Sequence, residues 1–181
     1  MDENVSGKIS SHDVCWECTQ SCCRGAKPPL TNERMTKIEE FLKTRERPAE
    51  PIFTYSEFKH PSVDSDDFCV FYEKLKKKCM IHEVKPETCR AGPVTFDINI
   101  HTKKIEWFLK ESELCTLAGK LFKNTGKFNE HLSVAKEEIM RLVRELDAEA
   151  LRAILRRDEP ETFKIGEDAL PKKVLAKLCL Q

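Results

Sequence analysis

Hydrophobic and polar positions change their period along this chain, and each change predicts a different element. Met35, Ile38, Phe41 and Leu42 recur at three- and four-residue steps, the spacing of one helix face, and predict a helix over about 32–44. Pro28-Pro29-Leu30-Thr31-Asn32-Glu33 leads into it, with Thr31 as the expected N-cap, and Pro48 and Pro51 end it. A polar stretch follows through Pro61 and Asp64-Ser65-Asp66-Asp67 and reads as an irregular connection. From Pro93 the period falls to two. Val94, Phe96, Ile98 and Ile100 alternate with Thr95, Asp97 and Asn99, as in a half-buried strand. His101-Thr102-Lys103-Lys104 can turn the chain and residues 105–109 can return it, so a β-hairpin is expected between Cys89 and Cys115. Two strands are marginal alone, so metal and helices are expected to hold this ribbon.

The C-terminal third is expected to be helical. An apolar stripe runs through Leu132, Ala135, Ile139, Leu142, Val143, Leu146, Ala150, Ile154 and Leu155, with charges on the opposite face. Asp147 can cap a second helix and split the segment. A last amphipathic helix is expected from Pro171, with Val174, Leu175 and Leu178 on one face. The expected fold is α+β: a small metal-stapled, cysteine-rich core with a β-hairpin, covered by several α-helices. The expected organisation is a flexible tail over 1–14, a metal-binding domain over 15–125, and a helical region over 126–181 packing on it.

Composition removes several classes of function. Lys+Arg and Asp+Glu balance at 31 each, so no global field selects nucleic acid or an anionic membrane. No apolar run reaches the roughly 18 residues needed to span a bilayer. The opening Met1-Asp2-Glu3-Asn4-Val5 lacks the basic and apolar regions of a secretory signal, so the cytoplasm is the expected compartment. Thiols stay reduced there, and clustered cysteines bind metal more often than they form disulfides. The odd count of nine cysteines also argues against a disulfide framework.

Eight of those cysteines are the candidate ligands: Cys15-x2-Cys18-x3-Cys22-Cys23, then Cys69-x9-Cys79-x9-Cys89, then Cys115. Thiolates at two- and three-residue spacing suit zinc or iron–sulfur clusters. Side chains of neighbouring residues in an extended segment point apart, so Cys22 and Cys23 are expected to serve different metal centres or different irons. Eight thiolates suffice for two four-cysteine sites. Cys179 lies on the last apolar stripe and reads as a packing residue. The first cysteine group runs in the reverse order of the radical-SAM motif, and the chain is short for that barrel.

The run Cys15-Trp-Glu-Cys18-Thr-Gln-Ser-Cys22-Cys23, the Leu30-Thr31-x-x-Arg34 helix start and Cys69-Val-Phe-Tyr resemble the YkgJ-type zinc- or iron-chelating family. So does Cys79-Met-Ile-His-Glu-Val-Lys-Pro-Glu-Thr-Cys89-Arg90-Ala-Gly-Pro93, which is similar to that family's C-x-I-Y-x-x-R-P-x-x-C-R-x-x-P signature. The resemblance covers about residues 15–118 and implies metal binding through the cysteines. A related region occurs in flagellin lysine methylases, which implies an association with modification or redox chemistry. His82, Lys85 and Glu17 depart from the family's usual Tyr, Arg and Gly without touching the ligand set.

Around the cysteines, His82 is a candidate zinc ligand or a bystander, and Arg90 either tunes a cluster or forms a salt bridge to Glu83 or Glu87. Lys74-Leu75-Lys76-Lys77-Lys78 reads as a solvated loop ahead of a phosphate-binding patch. Trp16 is expected as a lid and Trp107 as core. No nucleophile, general base or phosphate-binding motif appears, so no enzyme class is assigned. The leading expectation is an iron–sulfur protein, a [4Fe–4S] cluster being the expected cofactor, acting in electron transfer or as an accessory to another enzyme. The alternative is a zinc-stapled structural or interaction module, and a third reading is a complete enzyme with an open metal position. The expected partner is a protein or redox enzyme.

Overall fold

The computed structural model describes residues 14–15, 22–45, 47, 50–155 and 161–179. The first helix, α1 (Asn32–Leu42), starts at Thr31, whose hydroxyl accepts from the Arg34 backbone N–H. Its inward face carries Arg34, Ile38 and Leu42, one apolar stripe with a charge at its head. The stretch expected to be irregular contains a short antiparallel pair, β1 (Phe53–Tyr55) and β2 (Lys59–Pro61). A second small pair follows, β3 (Tyr72–Glu73) with β4 (Lys78–Cys79). Strands this short leave almost no periodicity to read. A 3-10 turn over His82–Val84 leads into α2 (Glu87–Ala91). Around these elements Leu30, Ile38, Leu42, Ile52, Phe71 and Ile81 form a small core.

The larger core lies under the expected hairpin, β5 (Val94–Asn99) with β6 (Lys104–Lys110), in register Phe96 opposite Trp107 and Ile98 opposite Ile105. Helix α3 (Thr116–Phe122) follows, then α4 (Thr125–Glu145) and α5 (Ala148–Leu155). Asp147 makes the predicted split: its carboxylate accepts from the Ala150 N–H at 2.8 Å. Ala135, Ile139 and Val143 of α4 pack on Phe96, Ile105 and Trp107 of the sheet.

The expectation of an all-helical C-terminal third fails at one place. Residues Thr162–Ala169 form a strand, β7, antiparallel to β6 along seven residue pairs, and α6 (Lys172–Lys177) closes the described chain. Phe163 and Ile165 alternate with Thr162, Lys164 and Gly166, a short run of period two that the flanking helices overshadowed. The third strand and its helices therefore support the β5–β6 ribbon. Its central residue, Trp107, is fully buried and donates its indole N–H to Asp168 of β7 at 2.7 Å.

Lys177 of α6 donates to the carbonyls of Val143, Arg144 and Leu146, satisfying the end of α4 with a cation where the helix dipole is negative. Cys179 is exposed, against its reading as a packing residue. It follows α6 at φ 59°, a left-handed turn that swings its side chain away from the buried Val174 and Leu178. Among the described residues no helix is long and apolar enough to cross a membrane.

Candidate metal centre

Backbone pairing brings the first two cysteine groups together. The Cys69 N–H donates to the Cys23 carbonyl at 2.9 Å and the Gly25 N–H to the Asp67 carbonyl at 2.7 Å, so residues 23–25 run as an extra strand beside 67–69. Gly25 allows the turn. It has φ +66°, and a Cβ there would stand 3.3 Å from Asp67 Oδ2.

Cys69 and Cys79 occupy matching positions. Each is followed two residues later by a fully buried apolar residue, Phe71 and Ile81, whose backbone N–H donates to the cysteine sulfur. The β3–β4 pairing sets Tyr72 opposite Cys79, and the Met80 N–H donates to the Phe71 carbonyl at 2.9 Å, so the two turns face each other across one small core. An N–H aimed at sulfur stabilises the thiolate, the form that binds metal.

Cys89 sits in the middle of α2, which Pro86 starts with φ −48°. The residue is exposed, yet desolvation by the surrounding protein is the largest influence on the proton affinity of its thiol. The other thiols in this region respond alike. Burial, then the charges of Cys79, Cys69, Cys22 and Cys15, push Cys23 up to about 12. Burial pushes Cys69 up to about 11 and raises Cys79. Cys89 is raised well above the ordinary thiol value, by burial first, with Cys79, Cys23 and Cys69 adding to it.

Cys23 is thus the hub of six thiols drawn from the segments 15–23, 69–79 and 89. Burial holds Cys23, Cys69, Cys79 and Cys89 toward the neutral thiol, and a soft metal would supply the positive charge that favours their thiolates. The donor set fits such a centre. Among the described residues, no three His, Cys, Asp or Glu side chains converge tightly enough to hold a single ion as they stand.

The remaining predicted residues lie as follows. Cys18 is outside the described residues, as are Trp16, Glu17 and Asp13. Cys22 is exposed and Cys23 half-buried. Cys115 caps α3 and packs beside Val14, Leu117 and Leu121, which places it next to the chain segment carrying Cys15. His82 is half-buried in the 3-10 turn. In the basic run Lys74 pairs with Asp64 and Asp66 while Lys76 and Lys78 pair with Glu73, the arrangement of a solvated hairpin tip.

Arg90 forms a salt bridge, but with neither expected glutamate carboxylate. Its Nε pairs with Glu138 at 3.1 Å, and its contact with Glu83 is to the backbone carbonyl at 3.3 Å. Glu87 turns the other way, accepting from the Thr31 hydroxyl at 2.6 Å and lying 3.5 Å from Arg34 Nε. The cation whose charge lowers the proton affinity of both Cys79 and Cys89 is Lys85. Sequence reasoning noted Lys85 only as a departure from the family pattern and passed over Glu138. Their signals were a lysine four residues before a cysteine and a carboxylate on an apolar helix stripe.

Thiols drawn together from three chain segments, electrostatically coupled through Cys23, point to a class: a cysteine-rich metal-chelating domain. The chain belongs to the CxxCxxCC family, described as "Putative zinc- or iron-chelating domain", which it matches over residues 14–116, more than half its length. No curated protein and no solved structure matches the chain.

Proposed function

We propose that this chain binds an iron–sulfur cluster through its cysteines and acts in electron transfer or as an accessory to another enzyme. One observation carries the reading. Six thiols, Cys15, Cys22, Cys69, Cys79 and Cys89 around Cys23, lie within electrostatic reach of one hub, more than the four that a closed zinc site takes. A polynuclear centre, or two centres sharing this region, uses them all. Cys18 and Cys115 would complete eight ligands, a [4Fe–4S] cluster taking four.

When bound, such a cluster supplies one-electron chemistry at a potential set by charge, hydrogen bonds to sulfur and solvent access. The chain's own residues supply those controls. The Phe71 and Ile81 N–H groups donate to sulfur, and Lys85 favours the more negative state of the site. Cys89, at the accessible side, is where an electron or a partner would reach it.

A second reading, a zinc-stapled interaction module, draws on the four thiols whose proton affinities are raised, Cys23, Cys69, Cys79 and Cys89, the complement of one tetrahedral site. Iron, zinc and acid-labile sulfide per chain, measured on protein purified without oxygen, separate the two. Iron with matching sulfide and a broad absorption band near roughly 400 nm, where thiolate-ligated clusters absorb, is the expected result. A colourless protein holding only zinc would replace it with the second reading.

A further inference from the structure

Helix α2 has two working sides. At about 100° per residue, Glu87, Arg90 and Ala91 share one side, while Cys89 stands about 200° from Glu87 on the other. Every residue on the first side is anchored. Glu87 is fully buried and held by Thr31 and Arg34 of the α1 start. Arg90 reaches Glu138 on α4, and the Ala91 carbonyl lies 3.0 Å from His131 Nε2, also on α4. Glu138 joins the two anchors, because its second oxygen takes Arg34 Nη2 at 2.5 Å. Arg34 and Glu138 are 4% and 6% exposed, so this bridge is formed away from water.

Buried charges of this kind are costly, and an apolar pair of the same shape would often be at least as stable. Their presence here calls for another use. Directional bonds at positions 87, 90 and 91 fix both the tilt and the rotation of a short helix, and its rotation decides where the Cys89 sulfur points. Apolar packing alone would leave that rotation loose.

We propose that Glu138 and Arg90, bridged to Arg34, form a positioning network that aims Cys89 at the metal centre, making α4 part of a site whose matched family segment ends at residue 116. The proposal rests on the metal-binding reading above. Neither residue is a ligand; both act through the orientation of α2. Metal at Cys89 would in turn hold α4 against α2, so the C-terminal helices would sense whether the site is filled.

The test uses the full chain with Zn2+ as probe, its affinity taken by competition with a chelator, and with Co2+ in its place to report the ligand field. Glu138→Gln and Arg90→Gln are each expected to weaken Zn2+ binding by about 10–100-fold, the scale of outer-shell substitutions, and to shift the visible bands of bound Co2+. Arg90→Lys should recover part of the loss. Ile139→Val, buried on the same helix outside the network, should lower stability and leave both readings unchanged. Arg90 is 42% exposed, so its variants carry the test if Glu138→Gln fails to fold. Wild-type affinity and unshifted bands in both glutamine variants would overturn the network while leaving the metal reading intact. A wild-type chain that takes up neither Zn2+ nor Co2+, nor iron on anaerobic reconstitution, would overturn both.

Discussion

The two halves of this molecule are built on different principles. Around the sheet, fifteen described residues form one buried cluster, and strands of six to eight residues pair along nearly their whole length. Around the cysteines, six buried apolar residues support pairs of strands only two or three residues long. A cluster of six such side chains, at roughly 1.5–3 kcal/mol each, cannot offset the ordering of a segment several times that length. The sheet half is expected to stand on its own packing, and the cysteine half to need its thiols bound. Metal binding in one and apolar burial in the other therefore serve the same purpose.

Metal removal is the hardest test of this division. Structural metal sites contribute roughly 10–16 kcal/mol of folding free energy, larger than any single side chain here. Chelation is expected to strip hydrogen-exchange protection from residues 22–85 while the amides of β5, β6, β7 and α4 keep theirs. A ribbon of only two strands would unfold with the rest of 15–118, but β7 and α4 assign it to the self-supporting half. Equal loss of protection in both halves would show one cooperative unit and end the comparison.

The converse experiment starts from the sheet. Trp107 is fully buried where β6, β7 and α4 meet, with Asp168 on its indole N–H and the Lys136 ammonium 5.4 Å from its ring centroid. Trp107→Ala should cost about 3–5 kcal/mol, from lost burial and the cavity left behind. In metal-loaded protein that loss is expected to fall on the sheet half, with Phe71 and Ile81 amides still protected. Simultaneous loss there would show that the metal does not hold its half independently.

The same division explains what could be read from the sequence. Long elements with a sustained period were legible: α1 with its Thr31 cap, the β5–β6 alternation, and the α4 stripe with Asp147 breaking it. The two short hairpins were not, because two or three residues carry no period. β7 was missed for another reason: its alternation is short and lies between helical stripes. Cysteine spacing pointed to the candidate ligands, since thiol chemistry is local to the residue. The surroundings of those ligands were hidden, because Lys85, Glu138 and His131 act across 40 residues or more or through a bend in the chain. Arg90 illustrates the limit. A salt bridge was legible in its neighbourhood, but its partner lies on a helix that no local pattern connects to it.

The smallest effect tests the seam between the halves. His131 of α4 holds the Ala91 carbonyl, and burial pushes its pKa below the ordinary histidine value, with the charge of Lys85 acting in the same direction. The folded protein thus holds this proton less readily than the unfolded chain. Stability from the neutral imidazole is present above the unfolded value of about 6.5 and declines as pH falls through the depressed folded one. His131→Gln keeps a side-chain N–H able to reach the carbonyl but removes the titration. With chelator present, so that thiolate protonation does not enter, denaturant midpoints of the sheet half should fall between pH 7.5 and 5.5 more steeply in wild type than in His131→Gln. Parallel slopes would show that protonating His131 does not strain the seam. A steeper wild-type slope would mark this contact as the place where α4, anchored in the self-supporting half, holds the helix that carries Cys89.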